Sequence, residues 1–129
     1  MNERINWTEL REFAGVDLEA SYVLSWSMAG ELLLLDLDVQ LRPDHPFYEV
    51  PRPSQKACIR AATIEFPYCE SLAVDGRDNE GSSATLVTSL GSGRIDGLSV
   101  VADGQYELRG EFGNVQINAE RPLLRLKEL

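Results

Sequence analysis

The sequence predicts a mostly antiparallel β domain, a sandwich or open barrel of about eight strands with one short N-terminal helix. Three observations carry that expectation. Apolar and polar residues alternate with a period of two in SYVLSWSM (21–28) and ELLLLDLDVQLR (31–42). Turn signals such as Asp103-Gly104 and Gly113-Asn114 punctuate the runs at short intervals. No long helical pattern alternates with the strands, which argues against a parallel α/β sheet. The chain, 1–129, is read as one domain, because 129 residues is an ordinary domain length.

Each element follows from its residues. Asn6 with Glu9 three positions on forms a variant capping box, and Trp7, Leu10 and Phe13 or Ala14 fall at helical spacing before Gly15. In 21–28, Tyr22, Leu24, Trp26 and Met28 share one strand face. After a turn at Ala29-Gly30-Glu31, Leu33, Leu35, Leu37, Val39 and Leu41 point inward, and Asp36, Asp38 and Gln40 outward. Four prolines, at 43, 46, 51 and 53, make the next stretch a long connection. A strand resumes over 57–66, where Ala62, Ile64 and Phe66 face inward. Arg60 breaks that row, so a bulge or a sheet edge is expected there.

Further on, residues 71–75 fit a short strand, DGRDNEGSS (75–83) an exposed turn or loop, and ATLVTSL (84–90) a strand. Residues 97–120 read as three strands, with Gly110 sitting in an apolar row. LLRLKEL at the end is an edge strand rather than a helix. The expected core comprises Trp7, Phe13, Tyr22, Leu24, Trp26, Leu33, Leu35, Leu37, Ile64, Phe66, Leu108 and Phe112.

Composition narrows the function. Acids outnumber bases, 21 to 12, for a formal charge of -9, which disfavours nonspecific binding to a phosphate backbone and suits a basic partner. Cys58 and Cys69 are too few for a disulfide framework and are not spaced for zinc. The polar start MNERINWTELREF lacks the apolar core of a signal peptide. The most apolar run is interrupted by Asp36 and Asp38 and is too short for a bilayer, so a cytoplasmic protein is expected. No metal or cofactor is called for, and neither nucleic acid nor membrane is an expected partner.

Several constellations bear on chemistry. The glycines at 91, 93 and 97 in GSGRIDG are superficially like a phosphate loop, but strand-like alternation follows where a helix should begin. Asp36 and Asp38 share a strand face without a matching third ligand. There is no GxSxG elbow, and the single histidine, His45, is the one residue on which a histidine mechanism could rest, in a pair with Cys58 for example. His45 lies in DHPFYEVPRP (44–53), where Phe47 and Tyr48 could cover the end of the sheets or form a ligand lip flanked by Arg42 and Arg52. The candidate binding residues are therefore Asp36, Asp38, Arg42, His45, Phe47, Tyr48 and Arg52, with no catalytic residue assigned.

The stretches DLEASYVLSW, ELLLLDLDVQL and YELRGEFGNVQINAE together resemble a group of small, mostly β bacterial domains that includes some immunity proteins of toxin systems. In those proteins too an early strand leads to a Leu-rich strand, and a late strand ends in an aromatic-Gly step. The resemblance implies binding of a protein partner rather than catalysis, and it carries over no functional residue. The leading expectation is an acidic protein-interaction module using the 43–53 loop and the nearby aspartates. The alternatives are a small-molecule site at one end of the sheets or a His45-dependent enzyme, and a free strand edge would also allow a homodimer.

Overall fold

Residues 5–75, 77–78 and 86–127 are described by a computed structural model of the chain. They form ten strands: β1 (Ile5–Asn6), β2 (Val16–Ala29), β3 (Leu32–Leu41), β4 (Cys58–Phe66), β5 (Ser71–Val74), β6 (Arg77–Asp78), β7 (Gly93–Ala102), β8 (Gln105–Gly110), β9 (Gly113–Asn118) and β10 (Leu123–Leu126). Their order is β10-β4-β3-β2-β7-β8-β9-β5-β6, with β1 added on β7. Every pairing is antiparallel. The excess over the expected strand count lies in β1 and β6, each of two residues.

This sheet cannot lie flat. β4 and β5 are six places apart in the order, about 29 Å in a flat sheet. The connection between them is only Pro67–Glu70, with a reach of at most about 18 Å. The connection from β9 to β10 poses the same problem. The sheet therefore folds over, so that β10-β4-β3-β2 faces β7-β8-β9-β5. The Phe66 ring on β4 meets the Tyr106 ring on β8 edge-on, with centroids 5.5 Å apart. The two short connections bond to the structure around them, through Glu120 N–H to Pro67 C=O (2.8 Å) and Glu70 N–H to Asn118 C=O (2.8 Å). One buried cluster runs through both halves, from Leu33, Leu35 and Leu37 to Leu98, Leu108 and Ile117.

The N-terminal helix is instead two 3₁₀ turns, Trp7–Glu9 and Arg11–Phe13. The capping box forms as expected, with Asn6 and Glu9 exchanging side-chain bonds with backbone N–H groups. So few residues cannot sustain an α-helix alone. The turns are held by burying Trp7, Leu10 and Phe13, and they pack against β7, β2 and β10. Glu12 and Arg121 pair at 2.7 Å, tying the second turn to the β9–β10 connection.

Strand β2 departs most from the expected pattern. Tyr22 and Leu24 are exposed, whereas Ser21 and Val23 are buried. The cause is two irregularities of register. Between the pairs Asp17↔Gln40 and Tyr22↔Asp38 β2 carries extra residues, and between Val23↔Leu37 and Ser25↔Asp36 it carries one more. A one-residue bulge reverses the phase of all that follows, so Trp26 returns to the core. Ser21 fills the first irregularity. Its hydroxyl donates to Asp17 C=O (2.8 Å) and accepts from Gln40 N–H (3.2 Å).

Other differences are local. Leu86 and Val87 lie in a helical turn, not a strand, and are buried. The remainder of that predicted strand, residues 84 and 85, lies outside the described residues, as do 76 and 79–83 of the predicted loop. Arg77 and Asp78 of that loop pair with β5. The last hairpin turns at Glu111-Phe112, because Gly110 and Gly113 already face each other. Phe112 is thus only partly buried, with its ring 5.1 Å from that of Trp26. Gly110 sits in an apolar row because a Cβ there would collide with the Arg94 carbonyl and the Phe112 ring. No helix among the described residues is long and apolar enough to cross a membrane.

Candidate functional site

The stretch from Arg42 to Ala57 leaves β3 and returns to β4 without entering the sheet. Prolines keep it out of the ladder, and a few contacts give it a fixed course. Arg42 N–H bonds Gly15 C=O (2.8 Å), and His45 and Tyr48 N–H bond Arg42 and His45 C=O (2.9 and 3.0 Å). Gly15 has φ +76, and a Cβ on it would stand 2.9 Å from the Cα and Cβ of His45. Only glycine permits both that conformation and that approach. His45 Nδ1 accepts the Phe47 N–H at 3.0 Å, and the two rings lie 5.9 Å apart. His45 thus holds the loop on Gly15 and turns Phe47 outward.

The predicted binding residues separate into three groups. Asp36 is committed within the fold. It bonds Lys127 (2.9 Å), Ser25 (3.2 Å) and Thr63 (3.2 Å). The Lys127 bond above all, with help from Ser25 and Thr63 and against the effect of burial, holds its carboxyl below the usual range. Asp38 stands on the same outer face, opposite Tyr22 and Ala61. Arg42 is exposed and 3.9 Å from Asp44, a weak contact. Tyr48 is half-buried against the core rather than forming a lip. Phe47 and Arg52 alone of the predicted set line a groove of ≈ 660 Å³ between the loop and β4.

That groove adds residues outside the predicted binding set: Val50, Lys56, Ile59 and Arg60. Its apolar part is exposed, with Phe47 at 61 %, Val50 at 83 % and Ile59 at 49 %. Its other wall is a sheet edge. Among the described residues β10 pairs with β4 from Glu65 to Ala62, and Lys127 N–H adds one bond to Ala61 C=O (2.9 Å). The Arg60 guanidinium then donates to the Lys127 carbonyl (3.0 Å), the last contact between the two strands among the described residues. Arg60 belongs to the inward row of β4, so its side chain must reach sideways to water. That answers the sequence puzzle with an edge, since the β3–β4 register runs unbroken from Phe66 to Cys58. Ala61 directs its carbonyl to the β10 side, and strand alternation makes Ile59, two residues away, direct its N–H and C=O the same way, into the groove.

Two smaller clefts, of ≈ 340 and ≈ 300 Å³, lie around the β7–β8 turn at Asp103-Gly104, lined by Glu70, Glu120 and Tyr106 among others. No three His, Cys, Asp or Glu side chains among the described residues are grouped to hold a metal ion. Both cysteines are free and buried, and burial pushes the Cys69 thiol up to about 11. No protein-family model, curated protein or solved structure matches the chain.

Proposed function

We propose that this chain is a protein-interaction domain that holds an extended segment of its partner against the free edge of β4. The observation that carries the reading is that, among the described residues, β10 pairing ends at Ala62 and none pairs with Cys58–Arg60 on that side, beside Phe47, Val50 and Ile59. An open edge supplies backbone bonds to an added strand, and exposed apolar side chains supply the contacts that select it. In this reading His45 serves the shape of the loop. Neutralisation of a toxin, as the sequence resemblance implies, is one form such binding can take. We place the protein in the cytoplasm, in keeping with its two free thiols.

The test removes the edge donor without touching the β3 ladder. Ile59→Pro deletes the outward N–H, while Ile59→Val keeps it and most of the apolar surface. Both variants and the wild type are passed through a displayed library of extended peptides. The expected outcome is that peptides selected by the wild type bind Ile59→Val normally and Ile59→Pro at least about tenfold more weakly. Equal binding to Ile59→Pro, with its fold intact by circular dichroism, would reject strand addition.

A further inference from the structure

We infer that the β4 groove takes an acidic, apolar-alternating peptide segment, the opposite of the basic partner that the net charge suggests. The inference rests on the groove reading above and names the chemistry of its occupant. The chain as a whole has 21 acids against 12 bases. Among the described residues the groove inverts that balance, with Arg52, Lys56 and Arg60 on its lining against Glu49. Partner choice follows the charges that face the partner, because at physiological salt charges beyond about 8 Å are largely screened. The remote acids that dominate the net charge therefore say little about this groove.

The three cations have distinct places. Arg60 lies in β4 itself and is held by the Lys127 carbonyl. Arg52 and Lys56 flank the turn in which Gln55 N–H bonds Arg52 C=O (2.7 Å) and the Gln55 side chain accepts from Arg52 N–H (3.3 Å). Both side chains are exposed at the mouth of the groove. An added strand would place alternate side chains toward Phe47, Val50 and Ile59 and leave the others beside these cations. Carboxylates suit those positions, and an arginine fork can take a carboxylate with two bonds. The same charges disfavour a second copy of this chain across the edge, since a twofold pairing would set cationic grooves against each other.

The experiment uses the full chain and three fluorescent peptides with the same alternating Val and Ile residues, interleaved with Glu, Gln or Lys. A single-stranded oligouridine serves as an alternative anion. The proteins are the wild type and Arg52→Glu/Lys56→Glu, which leaves Arg60 to cap β10. The expected order for the wild type is Glu, then Gln, then Lys, with at least about tenfold between the ends at low salt and the order reversed in the double variant. Equal affinity for the three peptides, or preference for Lys, would overturn the acidic assignment while the groove reading stands. Failure of all three to bind would overturn the groove reading itself. Tighter binding of oligouridine than of the Glu peptide would replace the peptide with a nucleic acid.

Discussion

Ser21→Ala tests whether one hydroxyl maintains the β2 irregularity that sets the phase of the strand. Ser21 is 1 % exposed, so no water can take the place of its side chain without entry into the core. Its hydroxyl serves two backbone groups on different strands, the Asp17 carbonyl at 2.8 Å and the Gln40 N–H at 3.2 Å. Alanine leaves both without that bond. An unsatisfied buried polar group costs about 1–3 kcal/mol, and the Gln40 bond is the longer of the two, so the expected loss is about 2–3 kcal/mol. That is a large part of the roughly 5–15 kcal/mol by which a domain is stable. Urea unfolding followed by tryptophan fluorescence measures it, and with a slope of about 1–3 kcal/mol/M the midpoint should fall by about 1–2 M. Ser27→Ala, at an exposed position on the same strand, should stay within about 0.5 kcal/mol. A Ser21→Ala loss as small as that of Ser27→Ala, at unchanged slope, would refute the reasoning: the bulge would then be held by the backbone and the packing around it.

Two further outcomes follow from other sites. Gly15→Ala should destabilise by at least about 1–2 kcal/mol, from the left-handed φ of +76 and the 2.9 Å approach to His45, and should weaken groove binding through displacement of Phe47; calorimetry with the selected peptide checks both, and unchanged stability would remove the anchoring role given to this contact. At alkaline pH the Cys69 thiol, raised from 9.0 to about 11 by burial, keeps its proton in the folded state after the unfolded chain has lost it. Stability present below pH 9 should therefore fall by about 2 kcal/mol as pH rises toward 11, and burial of Tyr106 acts in the same direction. Urea midpoints at about pH 8 and about pH 10.5 should show a flatter loss in Cys69→Ala, and equal slopes would remove Cys69 as the cause.

Much of the fold was legible because most strands are half-buried, and burial on one face writes a period of two into the residues. The strict alternation of Leu33 to Leu41 is the clearest case, and every inward residue there is buried. The Asp103-Gly104 turn and the final edge strand followed from equally local chemistry. The pattern failed where a local irregularity changed its phase. Tyr22 and Leu24 were expected inside because nothing in their own residue types announces that β2 carries extra residues opposite Gln40 and Asp38. ATLVTSL has strand-forming residues throughout, yet Leu86 and Val87 reach the core from a helical turn.

The candidate site was legible only in its loop. Prolines and aromatics marked 43–53 as unusual, and Phe47 and Arg52 do line the groove. Arg60, breaking the inward row of β4, was the sequence signal for the other wall. The sequence by itself determined most of the strands, the exposed character of the loop and a net charge of -9. Those properties depend on residue type and on neighbours a few positions away. The tertiary structure decided where β10 stops pairing with β4 among the described residues, that Asp36 is bound by Lys127, and that an acidic chain gathers Arg52, Lys56 and Arg60 at one groove. Each of these depends on pairing across the folded sheet, between β10 and β4 or between β4 and the loop. Contacts between residues so far apart in the chain are set by how the sheet closes on itself, which no local periodicity records.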